Sequence, residues 1–252
     1  MKALTTAPRR SFLAHFFDRF VDWTQRRIVA ASLVGDHAVF DKQAFPWIQT
    51  LEQQWPLIRA ELDEVLIRRD ALPGFHEITP EVRTITTDRD WKTFMFLGYG
   101  MRSEPNLQRC PNTANALARI PGLRTAFYSI LEPGKRIPLH RGPYNGVLRL
   151  HLGLIVPEPR ERCWIRVGGE LRTWNEGEAL VIDDMYPHEV HNDTNGVRVV
   201  LFVDFDRPLR GWVRWLNRLI LALAPLTPEI QTAKSNLTAW ERDYYGQNPN
   251  AG

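Results

Sequence analysis

Residues 146–156 read GVLRLHLGLIV, and this alternating run decides what kind of fold the chain builds. Leucine occupies every second position from 148 to 154, with Arg149 and His151 in between. Side chains point to opposite faces along a strand, so the leucines share one face and the Arg–His pair shares the other. The leucine face is predicted to belong to the core. The other face is either a solvated surface or the lining of a polar cavity, and the run alone leaves both open.

Six further strand-like runs surround this one between residues 91 and 206. They read WKTFMFLGYG (91–100), TAFYSILE (125–132), CWIRV (163–167), ELRTW (170–174), EALVIDD (178–184) and VRVVLFVDF (197–205). Glycine and proline turn signals separate them, and the pair Gly168-Gly169 between two short runs predicts a hairpin. Many short strands at even spacing predict a sandwich or a jelly roll.

Helical periodicity, with apolar residues three or four apart, appears on both sides of this region and once inside it. The predicted helices cover residues 10–34 (with Phe12, Phe16, Phe20 and Trp23 on one side), 47–68, 111–119, 207–223 and 228–245. We therefore predict a mainly β fold with flanking α-helices. Its parts are an N-terminal helical segment (1–84), a β core (85–206) and C-terminal helices (207–252).

The composition is that of an ordinary globular protein, with 44% hydrophobic and 24% charged residues and a formal net charge of +3. No run reaches the roughly 18 apolar residues that span a bilayer, and the first residues lack the apolar region of a signal peptide. Two cysteines, Cys110 and Cys163, are too few for a disulfide framework, which favours a reducing compartment. We expect a cytoplasmic protein whose basic amphipathic helices can lie peripherally on the inner face of an anionic membrane. No motif indicates a nucleic-acid partner.

Two histidines lie where predicted strands meet turns, and one arginine lies within a predicted strand. His140 follows Pro138, His188 lies in DDMYPHEVHND, and Arg198 lies in the strand that comes next. Imidazole is a common ligand of iron and other transition metals, and the guanidinium of arginine binds a carboxylate through two parallel hydrogen bonds. A histidine is nevertheless more often structural than a ligand. The residues alone therefore leave a metal site and ordinary structural histidines both open.

The runs HRGPYNGVLRLHLGLIVP, CWIRVGGELRTWNEGEALVIDDMYPHEVHND and VRVVLFVD resemble the aspartyl/asparaginyl β-hydroxylase family over about residues 85–206. The resemblance implies a double-stranded β-helix, which is a cupin-like jelly roll. It implies an enzyme, a 2-oxoglutarate-dependent dioxygenase that uses Fe(II), 2-oxoglutarate as cosubstrate and O2 to hydroxylate an unactivated C–H bond.

The resemblance also assigns roles to individual residues. It implies that His140 and His188 are the catalytic iron ligands and that Arg198 pairs with the far carboxylate of 2-oxoglutarate. It places three more residues along the cosubstrate pocket, namely Ser129, Arg149 and His151. Phe96 stands where some members carry a pocket tryptophan.

Most iron oxygenases of this class add one carboxylate to two histidines, usually two residues after the first histidine. That position is Gly142 here, and members of the hydroxylase family share the absence. The nearest acidic residues, Asp183 and Asp184, are interpreted as turn-forming residues that hydrogen-bond around the site.

Two substrate classes and one non-catalytic function follow. The segments FPWIQTLEQQWPLIRAEL, WKTFMFLGYG, CPNTANALARIPGLRTAFYSILEPG and DRPLRGWVRWLNRLI resemble the lipid A and ornithine-lipid acyl-chain 2-hydroxylases of the family, which implies hydroxylation at C2 of a membrane-lipid acyl chain. The alternative is β-hydroxylation of an Asp or Asn side chain in a peptide or free amino acid. The second alternative is a non-catalytic, cupin-like binding module. Arg141, Tyr144 and Asn145 are expected to face the substrate.

Overall fold

The chain, as a computed structural model, is described over residues 12–246, with the backbone only at residues 12–18 and 20. Its centre is a pair of antiparallel sheets. The larger sheet has the order β1-β9-β6-β11-β4-β2-β3. Its strands are β1 (Val39–Phe40), β2 (Trp91–Gly98), β3 (Met101–Arg102), β4 (Leu123–Leu131), β6 (Val147–Ile155), β9 (Ala179–Ile182) and β11 (Arg198–Asp206).

The smaller sheet has the order β5-β10-β7-β8 and covers one face of the larger one. Its strands are β5 (Arg136–His140), β7 (Cys163–Val167), β8 (Glu170–Thr173) and β10 (His188–Asn192). Gly168 and Gly169 join β7 to β8, as predicted, and both have a positive φ (56° and 92°), which a two-residue hairpin turn of this kind requires. The predicted mainly β fold of jelly-roll type with flanking helices is confirmed.

Eight α-helices of the described chain flank these sheets. They are α1 (Phe12–Ala31), α2 (Trp47–Gln53), α3 (Trp55–Leu66), α4 (Phe75–Ile78), α5 (Glu104–Arg109), α6 (Pro111–Leu117), α7 (Gly211–Leu223) and α8 (Pro228–Gly246). Short 3₁₀ turns cover Lys42–Ala44, Arg69–Ala71, Pro80–Thr84, Arg160–Arg162 and Ala224–Leu226. Within residues 12–246, none of the helices combines the length and the apolar character that crossing a bilayer demands.

Some elements differ from the predictions. The predicted helix 47–68 is two helices, because Pro56 has no N–H to donate to the preceding turn and its ring excludes a continuous helix. The elements that were not predicted are strands β1, β3, β5 and β10 and helices α4 and α5. Strand β1 pairs with β9 and so brings a piece of the segment 1–84 into the larger sheet. The predicted apolar stripe of Phe12, Phe16 and Phe20 lies outside the described side chains.

The larger sheet buries both of its faces. On one face the leucines of β6, from Leu148 to Leu154, are fully buried against side chains of α2 and α3 such as Ile58. On the other face, Phe127 and Val200 pack against the smaller sheet in a second core. Arg149 and His151 point to this second face. The alternation in residues 146–156 therefore separates a leucine core from a polar cavity between the sheets.

Candidate active site

His140 and His188 lie side by side on paired strands of the smaller sheet. His140 ends β5, His188 begins β10, and the two are direct partners in the antiparallel register. Their ring centroids are 4.1 Å apart. The structure thus brings together two histidines that are far apart in sequence.

Backbone contacts fix the orientation of both rings. Nδ1 of His140 lies 2.8 Å from the carbonyl oxygen of Pro138, and Nδ1 of His188 lies 2.9 Å from that of Tyr186. A carbonyl can only accept, so each Nδ1–H donates, and each Nε2 keeps its lone pair. Burial lowers the pKa of both imidazoles, and for His188 burial, His140 and Arg149 lower the pKa to about 3. Both rings are therefore neutral, which is the form that binds a metal.

Gly142, two residues after His140, has no room for the side chain of a third protein ligand. A side chain on Gly142 would collide with the carboxylate of Asp184, whose backbone oxygen accepts a hydrogen bond from the Gly142 N–H (2.7 Å). In the part of the chain that the structure describes, no three His, Cys, Asp or Glu side chains converge into a metal-binding group. The described residues therefore offer a pair of imidazoles.

Arg198 is a buried cation with few partners. It is 1% exposed, its Nη1 lies 3.4 Å from the Ser129 carbonyl oxygen, and its Nε has no hydrogen-bond partner. Its guanidinium carbon lies 4.8 Å from the ring centroid of Trp174. Burial lowers the pKa of Arg198 to about 10. Among residues 12–246 no acidic side chain pairs with it, so the Arg198 guanidinium is a charged donor that can bind an anion.

The cavity between the two sheets connects the histidine pair to Arg198. Its lining includes Trp91, Ser129, Ile137, His140, Arg149, His151, Ile165, Ile182, His188, Val190, Arg198 and Phe202. Burial, then the charges of Arg198 and Arg149, keep the pKa of His151 well below its ordinary value, and neither ring nitrogen of His151 has a partner. All six residues that the sequence assigned to metal or cosubstrate therefore line this one cavity.

Trp91 lines the polar cavity, whereas Phe96 does not. Trp91 Nε1–H donates to Ser129 Oγ (3.0 Å). Phe96 is buried in the other core, in edge contact with Phe94 and Tyr128. Trp91 was not among the predicted site residues. Strand alternation could have found it, because Trp91 and Phe96 are five positions apart and so point to opposite faces of the strand.

Arg149 lines the same cavity but is bound within the protein. Its Nε and Nη2 lie 2.9 Å and 3.2 Å from the two carboxylate oxygens of Asp204, and its Nη2 lies 2.9 Å from Asp184 Oδ2. Burial opposes its charge, but Asp184 and Asp204 outweigh burial and raise the pKa of Arg149. Asp183 likewise pairs with the buried Arg207. Asp183 and Asp184 thus each form an ion pair with an arginine, in keeping with the structural role predicted for these two residues.

A second, larger cavity of about 400 Å³ opens beside His140. Its lining is mainly apolar and includes Phe75, Val82, Ile85, Trp91, Met95, Tyr99, Met101, Phe127, Arg141, Pro143, Phe202, Ile230 and Ala233. Of the three residues expected to face substrate, only Arg141 lines it. Tyr144 and Asn145 instead hydrogen-bond to α7 and α1, through Asn217 Oδ1 (2.7 Å) and the Gln25 carbonyl (3.0 Å). That expectation is wrong for these two residues, because the chain turns away from the cavity after Pro143.

The family model described as "Aspartyl/Asparaginyl beta-hydroxylase" matches residues 52–208. The chain belongs to this hydroxylase family. It is 48% identical over 239 residues to an ornithine lipid ester-linked acyl 2-hydroxylase of Rhizobium tropici, covering 95% of this chain and 85% of that protein. It is 37% identical over 166 residues to the aspartyl/asparaginyl beta-hydroxylase of Homo sapiens, covering 64% of this chain and 21% of that protein.

Among solved structures, a Pseudomonas putida prolyl-4-hydroxylase matches with a TM-score of 0.40 and 21% identity, covering 62% of this chain and 88% of that chain. The family resemblance predicted from the sequence, including its ornithine-lipid branch, is confirmed by the two sequence matches. The protein is accordingly a hydroxylase by family. Three aromatic residues near the site were not among the predicted site residues: Trp91 and Tyr99, which line the cavities, and Trp174, which lies against Arg198.

Proposed function

We propose that this hydroxylase is an Fe(II)- and 2-oxoglutarate-dependent dioxygenase that hydroxylates C2 of an acyl chain in a membrane lipid of the ornithine-lipid type. One observation carries the substrate: the 48% identity with an ornithine-lipid acyl 2-hydroxylase extends over 95% of the chain. The mainly apolar cavity beside His140 supports it.

The side chains that line the polar cavity match the chemistry of the proposed iron and cosubstrate. His140 and His188 present neutral imidazoles with free Nε2 lone pairs, and these would hold the iron. When bound, iron and 2-oxoglutarate together reduce O2, release succinate and CO2, and transfer one oxygen atom to a C–H bond of the substrate. With Gly142 in place of a carboxylate ligand, the protein contributes two imidazoles to this centre.

The chain's own contribution is to hold and orient the cosubstrate. Arg198 would bind its far carboxylate, since it is buried, charged and without an acidic partner in the described chain. Such a charge-assisted, two-pronged contact also fixes orientation. The neutral His151 and the hydroxyl of Ser129 complete the polar end. The paired cores on both sides keep bulk water away.

Arg149 orients the loop that follows His140 (residues 141–143), which we call the histidine loop. It holds Asp184, and the Asp184 carboxylate packs against Gly142, two residues after His140. Arg149 also stacks on Phe202, with its guanidinium carbon 4.2 Å from the ring centroid. Through these contacts, Arg149 fixes the mouth of the polar cavity where the larger apolar cavity begins.

The apolar cavity favours an acyl chain over an aspartate or asparagine side chain. Burial of methylene groups against Met95, Met101 and Phe127 removes apolar area from water and so lowers the free energy of a bound acyl chain. A buried carboxylate or amide costs free energy unless it finds a partner. Arg149 is already neutralised, so Arg141 is the one cation of the described lining left to meet such a group.

Mass spectrometry of lipids tests the proposal. The protein is expressed in bacteria that make ornithine lipids, and we expect one added oxygen in the ester-linked acyl chain. His188→Ala should abolish the added oxygen and iron-dependent 2-oxoglutarate turnover. His191→Ala is the matched control, since His191 lies on the same strand, faces outward and stacks on Trp164. A hydroxylated Asp or Asn product without any lipid change would select the alternative substrate, and no 2-oxoglutarate consumption with Fe(II) would select a binding module.

A further inference from the structure

Helix α7 presents a row of largely exposed apolar side chains. Its side chains are between 52% and 74% exposed, although large apolar residues usually lie inside. We call this surface the α7 face, and it consists of Trp212, Trp215, Leu219, Leu223 and, in the turn that follows, Leu226. Positions 212, 215, 219 and 223 are three or four apart, so they lie on one side of the helix.

The opposite side of α7 is anchored to the protein. Val213, Asn217 and Leu221 are buried, and Val213 packs with Ile28. Asn217 donates to the Gly146 carbonyl (2.8 Å) and accepts from the Tyr144 hydroxyl (2.7 Å). The helix is therefore held in place by its inner side, and at the edge of the α7 face Trp212 stacks on Trp23 of α1 with the ring centroids 6.0 Å apart.

The charged residues of α7 itself are all positive. Residues 211–223 contain Arg214 and Arg218 and neither Asp nor Glu. Arg214 and Arg218 each lie with the guanidinium carbon 5.1 Å from the ring centroid of Trp215. Neither forms an ion pair with an acidic side chain of the described residues. Exposed tryptophan and leucine beside unpaired arginine is the composition of a helix that lies at the surface of an anionic bilayer.

The turn that ends the α7 face lies beside the lining of the apolar cavity. Pro225, next to Leu226, packs so closely on Gly100 that a side chain there would collide with its ring. The neighbours Tyr99 and Met101 line the cavity, as does Ile230 at the start of α8. The C-terminal end of the α7 face therefore lies close to the cavity at this point.

We propose that the α7 face docks the protein on an anionic lipid bilayer and sets the cavity mouth at the membrane surface. Tryptophan and leucine side chains enter the interfacial region, and Arg214 and Arg218 meet lipid phosphates. An acyl chain then reaches the cavity without crossing water. The inference rests on the proposed function for its lipid substrate, but vesicle binding is measured without turnover, so the two fail independently.

Co-sedimentation of the full-length protein with vesicles tests the docking. We expect binding to phosphatidylcholine vesicles only when phosphatidylglycerol is added. Trp215→Ser with Leu219→Ser should weaken binding roughly tenfold or more, because apolar area leaves the interface. Replacing Arg214 or Arg218 by Gln should weaken it about fivefold for each arginine, and added salt should produce the same loss in the unmodified protein.

Matched controls lie elsewhere on the surface. Ile67 is 75% exposed at the end of α3, and Arg172 is exposed on β8. Ile67→Ser and Arg172→Gln should leave vesicle binding unchanged. The proposal is overturned if the unmodified protein binds neither vesicle, or if these controls lose as much binding as the α7 variants. It is also overturned if gel filtration shows a dimer that Trp215→Ser dissociates, since the α7 face would then be covered by a second copy. Circular dichroism confirms that every variant is folded.

Discussion

Arg198 and Arg149 line one cavity from neighbouring strands, and the protein treats their charges in opposite ways. Arg149 is held by two aspartates, Asp184 and Asp204. Arg198 is 1% exposed and meets a backbone carbonyl and the face of Trp174. A buried charge without a partner costs free energy. A paired arginine such as Arg149 therefore belongs to the framework, whereas an unpaired one such as Arg198 marks where the charge of a ligand binds.

The largest expected effect comes from removing a partner of Arg149. Asp204→Ala leaves the buried guanidinium with Asp184 alone, and we expect the free energy of unfolding to fall by about 3 kcal/mol. Urea denaturation measures it. Glu170→Ala, which breaks the exposed pair with Arg172, is the control and should cost under about 1 kcal/mol. Equal losses in the two variants would show that Arg149 is not held as a buried ion pair.

Removing the unpaired arginine should act on ligand binding rather than on folding. Arg198→Met removes a charge-assisted contact of about 1.5–3 kcal/mol, so we expect the KM for 2-oxoglutarate to rise roughly 10- to 150-fold. The free energy of unfolding should stay equal or increase, since a lone buried charge is lost. Steady-state kinetics and urea denaturation are measured on the same preparation. Destabilisation as large as that of Asp204→Ala would make Arg198 a framework residue and erase the comparison.

A smaller effect tests the link from Arg149 to the histidine loop. Gly142→Ala forces its new methyl group against the Asp184 carboxylate, and we expect a loss of about 1–2 kcal/mol in unfolding free energy from overpacking. Gly246→Ala, where nothing lies within 4 Å, is the control. An unchanged stability in Gly142→Ala would mean that Asp184 moves freely and does not couple Arg149 to His140.

The sequence predicted the sheet and the chemical residues better than it predicted their surroundings. Alternation placed Arg149 and His151 opposite the leucines of β6, and the structure has them so. Tyr144 and Asn145 were misplaced, because the direction of a loop after a strand depends on the helices that pack on it. By family likeness, Phe96 stands where some members carry a pocket tryptophan, but Phe96 is buried in the other core, and Trp91 lines the cavity from the opposite face of the strand.

The sequence by itself indicated the mainly β fold, because strand period is a local property, and its resemblance to the hydroxylase family pointed to the six polar residues that line the cavity between the sheets. The tertiary structure alone decided which charges are paired. Asp204 and Arg149 are 55 positions apart, and only the register of β11 against β6 brings them together. Whether a buried arginine is part of the framework or free for a ligand depends on such long-range contacts, and so does the exposed position of the α7 face.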